Sequence, residues 1–484
     1  MRLRSFHTLN WLFLGLTLLP LTAVGQPDTT LRELSLDDLE GFQPTGSNWQ
    51  VAGHVIADRG QMHELSASAG TGVLVNLPTD QAESHLFTAW EHGDIRLEMD
   101  VMVPRGSNSG IYLQGRYEIQ ILDSWGVKNA DYGDMGGIYQ RWDASRPRAE
   151  RGYQGKPPRL NVARAPGLWQ HLMIDFRAPR FDESGAKIRN AIIKKVVLNG
   201  VVIHENVVLT GPTRGPAFEG EAPRGPIMIQ GDHGPVAFRN IRYRILDDSR
   251  PVLVDSSGDQ PPDPIYTEPT AGFRIVRGFM YHHGQKRTHV ASVGDPSGIH
   301  YAYDLNQGSL LKMWKGPFLE TTEMWAGRGI EQVGVPRGSV VSRPGAPNAA
   351  FLTDAQAAWP DSVGPGTDYE YVGYELDGNR RPTFEYRLDD ARVFDKIVLS
   401  ADSTGLTRSL GFDALPEPVW ILLARGDAIV RQPDGSYRVD GPSYYVRLDG
   451  VGGREPVIRR QDGMEELLLR VSGPDARLSY TTIW

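Results

Sequence analysis

Between Tyr117 and Leu122 the chain reads Y-E-I-Q-I-L, and this strict alternation constrains its fold more than any other feature. Successive side chains on a strand point to opposite faces of the sheet. Tyr117, Ile119 and Ile121 therefore share one face, and Glu118, Gln120 and Leu122 share the other. Burying Glu118 unpaired inside a sandwich would cost several kcal/mol or force it neutral. The parity thus predicts Glu118 and Gln120 in a concave cleft, with Ile119 and Ile121 packed between two sheets. Arg116 and Asp123 bracket the strand, and beside Arg116 the Glu118 carboxylate is expected to stay ionised. A half-buried strand with a solvated outer face is the plainer reading of the same pattern.

The strands around it follow the same rule. Asp94 to Val103 alternates, with Ile95, Leu97, Met99 and Val101 against polar neighbours, and Trp169 to Arg177 turns Leu172, Ile174 and Phe176 inward. Asn199-Gly200 divides Ala191–Val208 as a hairpin turn. Pro226 to Gly231 sets Ile227 and Ile229 against Met228 and Gln230. Leu34 to Leu39 is the one stretch before Gly41 that suggests a helical turn. Strands at this spacing without intervening helices mean an antiparallel sandwich from Gln26 to Asp248.

The start of the chain reads as a secretory signal over residues 1–25. Arg2 and Arg4 precede an apolar run from Trp11 to Leu21, and Ala23-Val24-Gly25 closes it with small residues. The run is shorter than the roughly 20 residues that a spanning helix needs, so no membrane insertion is expected. The expected location is periplasmic or secreted. The chain has no cysteine, which excludes a disulfide scaffold, a thiolate metal site and a cysteine nucleophile. Its formal net charge is -8 without a basic run, which disfavours nucleic acid as a partner. Abundant Gly and Pro with 11 Trp and 18 Tyr fit a loop-rich β protein able to stack aromatics on sugars.

Four blocks then carry a resemblance. They are N-S-G-I-Y-L-Q-G-R-Y-E-I-Q-I-L-D from Asn108, F-R-A-P-R-F-D at Phe176–Asp182, L-N-G-V-V-I-H-E-N-V at Leu198–Val207, and I-Q-G-D-H-G-P-V-A-F-R-N-I at Ile229–Ile241. In this order and spacing, over Asp37 to Leu246, the chain resembles the 3-keto-disaccharide hydrolase family. The resemblance implies an all-β, concanavalin-like antiparallel β-sandwich (jelly roll), export, and action on 3-keto-glycosides. It departs from the family around Asp143 to Pro158, an Arg- and Gly-rich insertion.

The chemistry follows from the substrate. A 3-keto group makes the C2 proton acidic, so that a base can form an enolate that expels the C1 substituent. Water then adds back. Such a site needs a base, a cation or donor for the enolate oxygen, and an acid for the leaving oxygen. Glu118, His233 and Asp123 are the catalytic candidates. Arg116, Gln120, Asp175, Arg177, Gln230 and Asp232 are expected to bind substrate, the last four facing the strand across a curved sheet. An ordinary glycosidase would use two carboxylates at a fixed separation. In Asp232-His233-Gly234 the histidine equally reads as a turn cap. A divalent metal stays open, since no His spacing supports one. An oxidoreductase that makes the 3-keto sugar is the implied partner. A lectin-like carbohydrate-binding protein is the alternative, and a docking role for the whole chain a third.

Of the aromatics, Trp125 and Tyr139 follow the polar strand in turns and are the candidates to line a cleft. Trp90, Trp142 and Trp169 read as core or edge plugs. Residues 249–270 form a linker whose five prolines bar helix and ladder. Residues 271–484 read as a second β-rich sandwich domain without assigned function, in which His282, His283, His289 and His300 read as solvated turn histidines. Limited proteolysis should cut first between Ser249 and Thr270, seen as two fragments of similar size on a gel. Early cleavage elsewhere, with that segment intact, would move the boundary.

Overall fold

The computed structural model describes residues 30–246, 264–270, 272–326, 331–363, 369–474 and 476–484. The expected leader and residues 249–263 of the expected linker lie outside them.

Eleven longer strands build the two main sheets of the first half: β1 (Trp49–Ile56), β2 (Ser66–Asn76), β3 (Leu86–His92), β4 (Ile95–Met102), β5 (Asn108–Leu113), β6 (Tyr117–Leu122), β7 (Trp169–Arg177), β8 (Ala191–Leu198), β9 (Val201–Leu209), β10 (Gly225–Ile229) and β11 (Val236–Ile245). The larger sheet runs β9-β8-β7-β4-β11-β2-β1, with a short strand Arg32–Glu33 added on β11; the smaller runs β3-β10-β5-β6. Among these strands every pairing is antiparallel.

The alternation decides what lies between the layers. Leu97, Leu172, Ile174, Phe176, Val196 and Phe238 of the larger sheet meet Ile111, Leu113, Tyr117, Ile119, Ile121, Ile227 and Ile229 of the smaller in one buried cluster. Tyr117 and Ile119 are each 1% exposed and Ile121 0%, so the expected face of β6 is the core face. Asn199 and Gly200, with φ of 51° and 83°, close the β8–β9 hairpin. Trp169 is buried at the start of β7 against Ala52, Val55 and Met102, as its position suggested. Leu34 to Leu39 is not helical. Ser35 Oγ accepts from Asp37 N–H and Asp38 Oδ1 from Glu40 N–H, local bonds that compete with a helical turn.

The second half is again antiparallel β. A five-stranded sheet begins with Arg274–His282, an eight-stranded sheet with Tyr369–Leu376, and a four-stranded sheet centres on Val419–Gly426 and Met464–Val471. Two of the expected turn histidines are buried instead. His282 ends its strand 1% exposed, and His300 is held between Asp295 N–H and Gly316 O.

The halves are joined through a polar seam with an apolar centre. Ala165 and Leu168 of the first half belong to the main core of the second, and Trp125 packs on it. The 1%-exposed Arg438 donates to Val55 O at 2.9 Å and to Asp440 Oδ2 at 3.2 Å. Arg164 donates to Pro442 O and Ser443 O, each at 2.7 Å, Ser443 Oγ to Trp169 O, and the Tyr445 hydroxyl to Pro166 O. Removing one partner strands a buried charge, so Arg438→Ala should lower stability by about 3–5 kcal/mol. Arg431→Ala, exposed at the end of the strand Ile429–Arg431, should stay within about 0.5 kcal/mol. Thermal melts of both variants check this, and equal melting of Arg438→Ala and parent would dismiss the seam.

Candidate active site

With Tyr117, Ile119 and Ile121 committed to the core, Glu118 and Gln120 must lie on the outer face of the smaller sheet. The β5–β6 register sets Glu118 opposite Tyr112 and Gln120 opposite Gly110. Gly110 makes room for the acid: a Cβ there would stand 2.4 Å from Glu118 Oε1. Any side chain at position 110 would therefore displace the carboxyl.

The edge of β6 beside this face is covered. Residues 136–139 run along the outer edge of β6, where Gln120 N–H donates to Gly137 O and Gly136 N–H to Gln120 O, both at 2.8 Å, and Tyr139 N–H donates to Glu118 O. Thr213 closes the same edge, accepting from Glu118 N–H at 3.1 Å and donating to Arg116 O. The chain beyond it passes over Tyr112, whose hydroxyl lies 3.4 Å from Arg214 O. Glu118 is accordingly 3% exposed and Tyr112 3%.

Burial is the largest effect on the Glu118 carboxyl and pushes its pKa up to about 8; the Tyr112 hydroxyl opposes the shift and the charge of Asp232 adds to it. Among the described residues Glu118 Oε2 has no hydrogen-bond partner. The expectation of an ionised Glu118 beside Arg116 is therefore corrected. Arg116 turns away, donating to Gly220 O and Gln114 O, each at 2.9 Å, with its guanidinium 5.1 Å from the Phe218 ring. It fastens the 218–220 loop to the β5–β6 turn.

At the end of β10, Gln230 N–H donates to Gly110 O at 3.0 Å, which places Asp232 and His233 beside the same face. His233 Nδ1 and Asp232 Oδ1 are 2.6 Å apart, and His85 Nδ1 stands 3.9 Å from the same oxygen. His233 does not cap this turn; the buried Asn76 does, donating to Gly231 O at 3.0 Å and Gly234 O at 2.9 Å, while Asn48 donates to Asn76 Oδ1. The half-exposed His233 side chain is left to the solvent side.

Four expected residues lie elsewhere. Asp175 and Arg177 occupy the outer face of the larger sheet, because Ile174 and Phe176 point inward from there. Asp175 pairs with Arg96 at 2.9 Å and Arg177 at 3.0 Å, and the whole core separates them from Glu118. Asp123 accepts from Gly106 N–H and Trp125 N–H, holding a turn. Trp125 donates its indole N–H to Trp484 O at 2.9 Å, so it lines the seam between the halves rather than this face. Gln120 shares the face with Glu118, its amide oxygen accepting from Ile121 N–H.

Tyr112, Gly110, His85, Asn76 and Arg214 were not evident from sequence. The three-residue turn Gln114-Gly115-Arg116 would have fixed the Tyr112–Glu118 pairing and so revealed the first two. Among the described residues no group of three or more His, Asp or Glu side chains is arranged to hold a metal ion. The arrangement offers a buried carboxyl with a raised proton affinity, a phenol beside it, and a carboxylate–imidazole pair at the rim. That set suits proton transfer at a neutral substrate.

Residues 35–244 match a family model described as a 3-keto-alpha-glucoside-1,2-lyase-like domain. Two solved structures from Parabacteroides distasonis, both provisionally assigned as glycosyl hydrolases, are similar. One is 26% identical, covering 46% of this chain and 95% of its own with a TM-score of 0.30. The other is 21% identical, covering 44% and 100%, with a TM-score of 0.30. The botulinum neurotoxin type G receptor binding domain is 10% identical over 93% of this chain and 91% of its own, with a TM-score of 0.23. No curated protein matches.

The raised pKa of Glu118 makes a signed prediction. Below about pH 4.5 the carboxyl is protonated folded or unfolded. Between about 4.5 and 8 the unfolded chain gives up the proton and the folded chain keeps it, so stability falls as pH rises. Above about 8 the loss is complete. Glu118→Gln removes it, so the stability of the variant relative to the parent should grow by a few kcal/mol from pH 5 to 8, then level off. Denaturant titrations across pH measure this; a constant difference would mean a solvated, ionised Glu118.

Proposed function

We propose, from the match of residues 35–244 to a family model described as a 3-keto-alpha-glucoside-1,2-lyase-like domain, that this protein cleaves 3-keto-disaccharides or related 3-keto-glycosides by elimination across C1–C2 followed by hydration. The observation that carries the reading is the buried Glu118 carboxyl, its proton affinity raised and one oxygen unpartnered. A carboxylate removed from water is a stronger base than a solvated one, and the C3 ketone lowers the demand on it.

Glu118 takes the C2 proton, and the electrons of that bond form the enolate toward the C3 oxygen. The enolate collapses, the C1–O bond breaks, and the leaving oxygen takes a proton from His233, which Asp232 orients. Water then adds at C1 and gives its proton to His233, and C2 recovers a proton from Glu118, so the net result is hydrolysis with both residues restored. Tyr112 holds the Glu118 side chain through its hydroxyl. Gln120 and Gln230 flank it for substrate hydroxyls. The substrate must come from an oxidoreductase that installs the ketone, and the sequence of residues 1–25 fits an exported enzyme.

Incubation with 3-keto-trehalose and with trehalose tests the class. Turnover of the oxidised sugar alone is the expected result; cleavage of trehalose itself points to an ordinary glycosidase, and binding without turnover to a lectin. Glu118→Gln should fold and lose about 10²–10⁴ in kcat, and His233→Ala should lose rate similarly. In the parent, kcat/KM should rise with pH as Glu118 ionises, toward about 8, and fall again once His233 loses the proton that it gives to the leaving oxygen. A profile with no rising limb would remove Glu118 as the base.

A further inference from the structure

The Arg- and Gly-rich stretch around Asp143 to Pro158 folds, with Arg141 and Trp142 just before it, into a braced hairpin at the rim of the reacting face. Its strands Arg141–Trp142 and Gly152–Tyr153 pair antiparallel. At the tip Asp143 accepts from Ser145 N–H, and the Arg146 guanidinium lies 3.8 Å from the Tyr153 ring. At the base Arg141 donates to Thr210 Oγ1, and Thr210 Oγ1 to Gln154 Oε1, each at 2.7 Å. Arg214 N–H donates to Gln140 O at 2.8 Å. Trp142 emerges from this brace 40% exposed, with the Arg214 guanidinium 4.1 Å from its ring.

Trp142 thereby connects to the chemistry through one residue. Arg214 covers the indole with its side chain, while its own carbonyl lies 3.4 Å from the Tyr112 hydroxyl beside Glu118. Tyr139 is bonded through its N–H to Glu118 O, with its ring 5.6 Å from that of Tyr132. An indole oriented by a stacked guanidinium, and still exposing ring area, is a ready surface for the C–H face of a sugar. A structural plug would be buried, as Trp169 is at 5%.

We propose that Trp142, held by Arg214, is the platform for the sugar on the leaving-group side of the scissile bond, and so selects disaccharides over glycosides with small aglycones. This rests on the proposed function, since it is the leaving group of that reaction that the platform holds. The 3-keto ring is then bound by the polar face, and the second ring by the hairpin wall.

The test compares kcat/KM of the parent and of Trp142→Ala on 3-keto-trehalose and on methyl 3-keto-glucoside. Loss of one stacked ring contact should cost about 10- to 100-fold on the disaccharide, through KM, and less than about threefold on the methyl glycoside. Trp142→Phe should recover most of the loss, and because Trp142 is exposed the melting temperature should not move. An equal loss on both substrates, or no loss on either, overturns the platform. If the parent turns over neither substrate, the proposed function falls. The platform is then judged by calorimetric binding of 3-keto-trehalose, where unchanged affinity in Trp142→Ala overturns it and a tenfold weaker affinity upholds it.

Discussion

The site depends on one packing constraint: Tyr117, Ile119 and Ile121 are spent on the core between two sheets. Once these three are inside, the residues between them have nowhere to go but the outer face. There the edge of β6 is covered by residues 136–139 and by Thr213, so the outer face is no solvated surface. A carboxyl forced outward by the core and left only 3% exposed there is largely desolvated. Its raised proton affinity is thus a product of strand parity and edge protection together.

Much of this was legible in the sequence, because a period of two fixes sides without knowledge of the fold. The alternation of β4, β6 and β7 gave the correct inward residues, and Asn199-Gly200 gave the hairpin. What parity cannot reveal is which sheet a strand joins. Asp175 and Arg177 were rightly placed on a polar face, yet that face belongs to the opposite layer. Long side chains escape too: Arg116 donates to a carbonyl of its own turn and to one of the 220 loop rather than to the nearest acid in sequence. Tyr112, flanked by Ile111 and Leu113, looks like one more core residue until the register of the hairpin is drawn. Asn76, 155 residues before the Gly231 carbonyl it holds, is beyond any local signal.

The two ends of β6 serve different masters. At its start the β5–β6 turn anchors the 218–220 loop through Arg116. At its finish Asp123 folds the chain so that Trp125 reaches the second half. The seam there uses buried arginines on backbone carbonyls, which satisfy loop C=O groups that a purely apolar interface would leave stranded. Lys315 shares the Trp484 carbonyl, and burial lowers its pKa to about 8.

That shared core has an evolutionary corollary. Ala165 and Leu168 complete the interior of the second half, and carbonyls at Val55, Pro166 and Trp169 are capped from across the seam. A lineage that lost the second half would have to mend those vacancies at once, before any single change could be tested by selection. Fusion of this kind is a ratchet: each capped carbonyl makes the reverse step harder, and substitutions in one half become permissible only in the background of the other. The second half is in this sense retained by the fold itself.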